Sequence, residues 1–171
     1  VIFVAVGTPS LADGRADMSQ IISVAEKLRD LIDHHTIVVV KSTVPVGAIE
    51  IIQDILSERL TIGEDFDVVS NPEFLREGSG LVDFYNPSRI IIGSNTDFAR
   101  KSLKEIYQPL IQRDYKVSNP FSIKNQIIEI LLTDPVSAQM IKYASNAFLA
   151  TRISYINEIA GISEKVGGNI S

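Results

Sequence analysis

The feature that most constrains the fold is a regular alternation between short apolar runs and longer segments with helical periodicity. The apolar runs, each predicted to be a strand, are Val1 to Val6, Thr36 to Val40, Phe66 to Val69, Arg89 to Gly93 and Ile127 to Leu132. The helical segments between them run from Asp17 to Ile32, from Ala48 to Arg59 and from Thr96 to Tyr107. Strands joined by helices in this way predict an α/β protein with a parallel sheet covered on both faces, so that even the first run is buried.

Polar residues follow the first three strands at the points where those strands end. The three joints read Gly7-Thr8-Pro9, Ser42-Thr43-Val44-Pro45 and Ser70-Asn71-Pro72-Glu73. Right-handed crossovers would place the carboxyl ends of all the parallel strands at one edge of the sheet. Any one joint is explained by a helix cap, but three together favour a ligand-binding cleft, which open α/β sheets form at that edge.

The third joint continues into the octapeptide from Asn71 to Gly78, which we expect to form a short helical turn. Asn71 would cap the turn, Pro72 would occupy its first position and Gly78 would end it with a positive φ. Four-residue spacing would then put Glu73 and Glu77 on one face. Two carboxylates on one face can do acid/base work or hold ribose hydroxyls, or they can simply complement the positive end of a short helix. Spacing alone favours the last interpretation, and the neighbouring joints favour a site.

A long helix is predicted from Asp134, its cap, and Pro135, its first residue, to about Val166, where Gly167-Gly168 ends it. Its apolar residues lie on all sides, which is typical of a helix buried between domains or between subunits. Lys142 and Asn146 share one face of it. A buried lysine is costly unless it is paired, and burial can lower its pKa toward the working range. Alternatively its ammonium group extends to water, and both interpretations stay open.

Charge and composition exclude several classes of function. The net charge is −5 and the sequence contains no basic block, so we expect no nucleic-acid partner. No apolar run approaches the ~20 residues of a membrane span and no signal-peptide pattern opens the sequence, so we expect no membrane partner and a cytoplasmic location. The sequence has no cysteine, which excludes disulfides, thiolate metal sites and a cysteine nucleophile within these residues. Because Val1 lies within a predicted strand, we expect the chain to be part of a longer one.

The first helix carries two further predictions. Asp17 and Gln20 have the spacing of a capping box, so the helix should begin at Asp17. His34 and His35 adjoin at its end, where we expect them to interact favourably with the helix C-terminus and not to bind a metal.

Six stretches together resemble the UDP-glucose 6-dehydrogenase family, part of the wider UDP-glucose/GDP-mannose dehydrogenase group. They are Val4 to Pro9, Asp13-Gly14 with Ala16-Asp17, Lys41 to Gly47, Asn71 to Gly78, Asn86 to Gly93 and Lys142 to Phe148. The resemblance implies that residues 1–133 form the carboxyl-terminal part of a Rossmann-like NAD-binding domain. Residues 134–171 would then form a long central helix and the start of a helical dimerisation region, with a homodimer formed through that helix.

The resemblance also implies an activity in polysaccharide biosynthesis. The C6 alcohol of UDP-glucose would be oxidised through an aldehyde and a cysteine thioester to the carboxylate of UDP-glucuronate. NAD would be the cofactor, with two NAD+ used for each sugar. Glu73 would be the acid/base group that helps hydrolyse the thioester, and Thr43 would orient a water beside it. Lys142 and Asn146 would stabilise the oxyanion at C6, and Lys142 would also move protons.

The binding residues follow from the same resemblance. The residues that would bind the cofactor are Thr8, Pro9, Ser42, Thr43 and Glu77. Those that would contact the UDP-sugar substrate are Glu73, Phe74, Leu75, Arg76, Glu77, Lys142 and Asn146. No metal is implied.

The sequence departs from the family in three places, and the first two limit what this chain can do alone. The nucleophilic cysteine of the family is absent, and so is its glycine-rich fingerprint, which Gly78 to Asp83 imitates without the third glycine. The stretch from Ile111 to Gln126 is also longer than is usual in the family. We therefore expect the 171 residues alone not to complete the reaction.

Three alternative functions stay open. They are a GDP-mannose 6-dehydrogenase, a non-catalytic fragment that dimerises or binds a nucleotide sugar, and a hydroxyacid dehydrogenase of similar plan. The last is disfavoured, because it has no use for the octapeptide with its two glutamates.

Overall fold

A computed structural model describes residues 1–113 and 127–169. Its strands are β1 (Ile2–Val4), β2 (Thr36–Val40), β3 (Phe66–Ser70), β4 (Arg89–Gly93) and β5 (Glu129–Thr133). Its helices are α1 (Ser19–Leu31), α2 (Ala48–Ser57), α3 (Gly80–Tyr85), α4 (Asp97–Gln112) and α5 (Pro135–Lys165). The predicted α/β class is confirmed, and α3 is an element that the sequence did not predict. Of the stretch from Ile111 to Gln126, residues 114–126 lie outside the described residues.

The five strands lie side by side in chain order, but the sheet is not wholly parallel. β1, β2 and β3 are parallel to one another, and β4 is parallel to β5. β3 and β4 are antiparallel and meet only where Ser70 pairs with Gly93. The prediction of an all-parallel sheet is therefore wrong at this junction. A six-residue helix such as α3 rises only about 9 Å, too little to carry the chain back along a strand of about 17 Å.

This arrangement still gathers the polar joints. The joints after β1, β2 and β3 lie at one edge, as predicted, because those three strands run in the same direction. The pairing of Ser70 with Gly93 also brings the carboxyl end of β4 to the carboxyl end of β3. The segment after Ser70 therefore begins where the two halves of the sheet join.

The core has one layer on each face of the sheet. On one face, α1 and α2 contribute Ile21, Ala25, Leu28, Ile49, Ile52 and Leu56. On the other face, α4 packs Leu103 and Tyr107 against Ile37, Val39, Ile90 and Ile92. β2 and β3 are buried at every position, as predicted for central strands. The same expectation is wrong for β1, since Ile2 and Phe3 are 36% and 44% exposed on a strand that forms the edge of the described sheet.

The ends of α1 differ from their prediction. The helix begins at Ser19, and the Asp17 carboxylate accepts a hydrogen bond from the Ser19 backbone N–H, so the predicted capping box is wrong. The helix ends at Leu31, before the two histidines. His34 contacts the Asp33 carboxylate and His35 lies 3.2 Å from Asp67 Oδ2, so neither caps the helix. Within residues 1–113 and 127–169, no group of acidic, histidine or cysteine side chains could hold a metal.

The helix α5 is docked on the sheet by its first two turns. Asp134 caps it as predicted, accepting from the Ser137 N–H at 2.8 Å, and Gly167 follows it with a φ of 78°. The approach to β4 is so close that a Cβ on Gly93 would lie 2.5 Å from the Ala138 Cβ and 2.8 Å from the Asp134 carbonyl oxygen. Only a glycine fits there.

The rest of α5 is exposed in the described chain. Its buried residues are Pro135, Ala138, Gln139 and Lys142. Its large apolar side chains beyond these are exposed, among them Phe148, Leu149, Ile153, Tyr155 and Ile156. Burial of this part of the helix between domains or between subunits stays a prediction, because no other described element packs on it. None of the described helices is both long enough and apolar enough to cross a membrane.

Candidate functional site

The joints after β1 and β2 form a rim that is tied together by hydroxyl groups. The Thr8 hydroxyl donates to the Thr43 carbonyl oxygen at 2.8 Å, and the Ser42 hydroxyl donates to the Val6 carbonyl oxygen at 2.7 Å. Two of the three hydroxyl groups that the resemblance implies as cofactor contacts therefore bind backbone of the neighbouring joint. Pro9 is exposed on the same rim and Thr43 is half-buried. These bonds hold the two loops at a fixed separation.

The segment after β3 is not the predicted helical turn. Residues 71–76 have no helical hydrogen bonds, and only Glu77 and Gly78 form a turn, with Gly78 at a φ of 80° as expected. The face shared by Glu73 and Glu77 therefore does not exist, and Glu77 is exposed. The physical reason lies at Asn71, whose N–H donates to the Val40 carbonyl oxygen and so prolongs the pairing of β3 with β2.

Asn71 is fully buried and links several elements through its side chain. Its Nδ2 donates to the Ile91 carbonyl oxygen in β4 at 2.6 Å. Its Oδ1 accepts from Lys41 Nζ, at the end of β2, at 3.2 Å and from the Tyr107 hydroxyl of α4. The residue expected to cap a turn is instead the polar junction between the two halves of the sheet.

Glu73 and Lys142 meet although they are far apart in the sequence. Lys142 Nζ, on the second turn of α5, lies 3.2 Å from Glu73 Oε1 and also donates to the Glu73 carbonyl oxygen. The lysine side chain is 7% exposed and the glutamate side chain 30%. Of the two interpretations of Lys142, the paired lysine is therefore correct, and the ammonium group does not reach out to water. Asn146 lies one turn further along α5 and is exposed.

Phe74 lies close to two cations beside this pair. Lys142 Nζ is 5.0 Å and the Arg89 guanidinium carbon is 4.8 Å from the centre of its ring. A cation near an aromatic face is attracted by the ring quadrupole. Phe74 therefore helps to hold the Lys142 ammonium group at the strand ends, and Leu75 beside it is exposed.

Arg76 and Asp83 fasten the end of the segment to α3. The Arg76 guanidinium contacts Asp83 at 2.7 and 3.0 Å, and the Arg76 N–H donates to the same carboxylate at 2.9 Å. These bonds hold the pKa of Asp83 below its ordinary value and raise the pKa of Arg76. Arg76, expected to contact substrate, is therefore already engaged by a carboxylate of its own chain.

A cavity of about 310 Å³ lies beside the segment that follows β3. Its lining comprises residues 72–76 and 86–90 together with Lys41, Asp83, Phe84, Tyr107 and Leu110. Lys41, Tyr107 and Arg89 were not assigned to the site from the sequence. Lys41 stands at a strand end in a polar joint, which is a signal that could have identified it. Tyr107 lies within an ordinary helical pattern and gave no such signal.

Burial changes the acidity of two groups in this wall. Burial lowers the pKa of the Lys41 ammonium to about 8; the Glu73 carboxylate opposes that shift and the Lys142 ammonium adds to it. Burial also raises the pKa of the Tyr107 phenol to about 12. Tyr107 is therefore protonated throughout the physiological pH range. Lys41, in contrast, begins to lose its charge at the upper end of that pH range.

The rim can serve as one wall of a dinucleotide site. It presents backbone and hydroxyl groups at the carboxyl ends of parallel strands, where such folds bind nucleotides. The Gln139 side chain is 2% exposed at this rim, and its Oε1 accepts from the Gly47 N–H at 3.4 Å. Its Nε2 has no hydrogen-bond partner within the described residues. A buried donor without a partner is costly, and a bound polar group would relieve that cost, so the residues present fit part of the cofactor.

Two family models match the chain. Residues 1–111 match the NAD binding domain of the UDP-glucose/GDP-mannose dehydrogenase family, and residues 136–171 match the central domain of the same family. The expectation of NAD as the cofactor is confirmed by the first of these matches. The boundary predicted between residues 133 and 134 falls in the gap between the two matches.

Similar proteins cover nearly the whole chain. A UDP-glucose 6-dehydrogenase of Bacillus subtilis, YwqF, is 44% identical over 170 residues, which are 99% of this chain and 35% of that protein. The structure of a UDP-glucose dehydrogenase from Pyrobaculum islandicum is 37% identical with a TM-score of 0.80, covering 98% of this chain and 36% of that one. A GDP-mannose dehydrogenase structure from Pseudomonas aeruginosa is 31% identical with a TM-score of 0.78 over the same shares. The chain thus spans about a third of the length of these relatives.

Proposed function

The chain belongs to the UDP-glucose/GDP-mannose dehydrogenase family, and on that premise we propose that the protein containing it oxidises C6 of UDP-glucose to the carboxylate of UDP-glucuronate. The alcohol would lose two hydrides in succession, to two NAD+, and would gain one oxygen from water. Three protons would be released. Residues 1–133 would supply part of the NAD-binding domain and residues 134–171 the central helix.

The observation that carries this proposal is the contact between Lys142 and Glu73 at the strand ends. An ammonium group has three N–H donors, and Glu73 accepts two of them through its carbonyl oxygen and Oε1. In this proposal the third would donate to the C6 oxygen of the sugar. A donor aimed at a developing oxyanion contributes roughly 3 kcal/mol to transition-state stabilisation.

We assign Glu73 to the hydrolytic step. Its Oε2 accepts from the Leu75 N–H, while Oε1 faces Lys142, so the carboxylate has one orientation. A carboxylate held in this way can take a proton from the water that releases the acid from a thioester. Thr43 would orient that water, and Asn146 would add a second donor to the C6 oxyanion. The cysteine that carries the thioester is not among these residues.

The cofactor supplies the hydride acceptor for both oxidations. In this chain, the residues that would bind the cofactor are Thr8, Pro9, Ser42, Thr43 and Glu77. Of these, Thr8, Thr43 and Glu77 would line its nicotinamide side. The hydrogen bonds of Thr8 and Ser42 to the neighbouring joints support this assignment, because they fix the backbone against which a flat ring can pack.

Two further proposals concern the whole protein. The exposed apolar residues of α5 support a homodimer formed through that helix, which sedimentation of the whole protein would test. A monomer at micromolar concentration would contradict it.

We also place the protein in the cytoplasm, where the NAD+ pool would serve biosynthesis of a polysaccharide precursor.

UDP-glucose is favoured over GDP-mannose by similarity alone. The Bacillus subtilis relative named for UDP-glucose is 44% identical, and the GDP-mannose dehydrogenase structure is 31% identical. The two substrates share a C6 alcohol and a pyrophosphate, so the Lys142–Glu73 pair does not discriminate between them.

The test is product analysis of the whole protein with each sugar nucleotide and NAD+. We expect two NADH per UDP-glucose, counted by absorbance, and a uronic acid identified by mass spectrometry. One NADH per sugar with an aldehyde product would contradict the second oxidation, and a preference for GDP-mannose would overturn the substrate. Absence of turnover with either would favour the non-catalytic alternative. The 171 residues alone should produce no uronic acid.

A further inference from the structure

Lys41 is a charged residue of the cavity that has no place in the chemistry described above. It follows β2 directly, and its backbone N–H donates to the Val4 carbonyl oxygen at 2.8 Å, which anchors its backbone to β1. Its side chain is half-buried and lines the cavity together with Glu73. A lysine that is half-buried in a cavity wall costs free energy and calls for an explanation.

The Lys41 ammonium group has three kinds of neighbour. It donates to Asn71 Oδ1 at 3.2 Å, and it lies 5.8 Å from the centre of the Tyr107 ring. The Glu73 carboxylate attracts it and the Lys142 ammonium repels it, which makes it part of the same electrostatic cluster. The other charged residues lining the cavity are Arg76, Asp83 and Arg89.

The chain connects these contacts directly to Glu73. Asn71 stands two residues before Glu73, so a group that holds Asn71 also holds the start of the segment that carries the carboxylate. Asn71 is fixed from three sides, by Ile91 in β4, Tyr107 in α4 and Lys41 after β2. Of these partners, only Lys41 brings a full positive charge close to Glu73.

We propose that Lys41 is a positioning residue for the Glu73–Lys142 pair. It holds Asn71 in place and adds a second positive charge that attracts the Glu73 carboxylate. This assignment rests on the proposed function, because it gives Lys41 its role through the two residues placed at C6. The lysine does not touch substrate atoms in this account. It acts by fixing the carboxylate and by changing the local potential.

The proposal predicts how the charge of Lys41 responds to its neighbours. Because burial brings its pKa to about 8, its charge is present at pH 7 and lost above pH 9. Removing the Glu73 charge by Glu73→Gln should lower the pKa of Lys41, since an attractive partner is lost. Removing the Lys142 charge by Lys142→Met should raise it, since a repulsive partner is lost.

Lysine-selective NMR of the whole protein measures these shifts without any turnover. The Lys41 signal, identified by its loss in Lys41→Arg, is followed from pH 6 to pH 11 in each variant. Opposite movements of its midpoint in Glu73→Gln and Lys142→Met are expected. An unchanged midpoint in both would overturn the proposal whatever the protein's substrate is, so this arm does not depend on the proposed function.

The kinetic arm compares three residues at position 41. The ratio of kcat for the wild type to kcat for Lys41→Met should be of order tenfold at pH 7 and should fall toward one above pH 9, where the wild type loses its charge. Lys41→Arg keeps the charge, so its kcat should match that of the wild type at pH 7. Above pH 9 its kcat should still exceed that of Lys41→Met. KM should change less than kcat, because substrate contacts are retained.

Lys101, an exposed lysine of α4, supplies the matched control. Lys101→Met should match the wild type at every pH. Ratios for Lys41→Met that do not vary with pH would show a merely structural lysine and would overturn the proposal. If no variant and no wild type turns over UDP-glucose, the proposed function fails and the NMR result alone decides the role of Lys41.

Discussion

Replacing Gly93 by alanine should loosen α5 at the end that carries Lys142. The added Cβ would lie 2.5 Å from the Ala138 Cβ, 2.8 Å from the Asp134 carbonyl oxygen and 3.1 Å from the Pro135 Cα. Carbon atoms in contact normally lie about 3.5–4.0 Å apart, so the first turn of α5 must move by about 1 Å or more. Two of the three atoms belong to backbone and cannot rotate away. Overpacking of this kind costs about 1–3 kcal/mol.

The displacement should reach the site. Ala138 and Lys142 lie four residues apart on the buried face of α5, so a turn lifted at Ala138 withdraws the Lys142 ammonium from Glu73. Hydrogen exchange measured by mass spectrometry reports the local stability of that turn in the whole protein. We expect amides at the start of α5 to exchange roughly 5- to 150-fold faster in Gly93→Ala, which is the range set by 1–3 kcal/mol.

A double variant separates this clash from a general loss of stability. Ala138→Gly alone should cost about 1 kcal/mol through helix propensity and somewhat less than 1 kcal/mol through the buried methyl. Combined with Gly93→Ala, it removes the 2.5 Å contact and leaves only the contacts to Asp134 and Pro135. The double variant should therefore be destabilised by about 1 kcal/mol less than the sum of the two single variants. Additivity within about 0.5 kcal/mol would refute the reasoning.

The matched control is the same substitution elsewhere on the same helix. A Cβ on Gly161 would meet nothing within 4 Å, so Gly161→Ala should not loosen α5. Helix propensity instead predicts that the free energy of local opening around Gly161 rises by up to about 1 kcal/mol, so the amides there should exchange more slowly. Faster exchange in this variant would mean that α5 responds to any added methyl.

Three further predictions concern the site and its surroundings. Lys142→Met should lower kcat by about 100- to 1000-fold with a smaller change in KM, and steady-state kinetics showing a change in KM alone would contradict an oxyanion donor. Asn71→Ala should cost about 2–4 kcal/mol in urea unfolding, because it removes a hydrogen-bond partner from the Lys41 ammonium, the Tyr107 hydroxyl and the Ile91 carbonyl; a loss below 1 kcal/mol would mean that water replaces it. The Arg76 contacts hold the folded-state pKa of Asp83 below its unfolded value of about 3.9, so their stabilisation is present above that pH and is lost as the pH falls through the folded pKa. Asp83→Asn should therefore reduce the acid dependence of stability below pH 4, and parallel stability profiles for variant and wild type would contradict this.

Much of the fold could be predicted from the sequence because burial leaves a direct pattern. β2 and β3 are buried on both faces, and their continuous apolar runs predict that state. The Asp134 cap and the glycine after α5 also act locally, so their residue types indicate their roles. The antiparallel junction of β3 with β4 could not be predicted in this way, because it depends on the length and path of the connection and not on the strands themselves.

Only part of the candidate site could be predicted from the sequence. The polar joints predict a common edge, and that prediction is confirmed for the strands from β1 to β3. The contact of Lys142 with Glu73 joins residues separated by 69 positions, and no local pattern specifies it. Helical spacing for Glu73 and Glu77 was misleading, because Asn71 uses its backbone to extend the pairing of β3. Tertiary hydrogen bonds outweigh local propensity in such a segment.

The length of α5 has a mechanical consequence. Its 31 residues extend for about 46 Å, yet only the first two turns rest on the sheet. An α-helix is a stiff rod, so a rotation of about 3° around the docked end displaces the far end by roughly 2 Å. Conversely, a displacement of the far end of the helix rotates its docked end. Any neighbour that clamps the distal turns therefore also sets the angle at which the Lys142 ammonium meets Glu73.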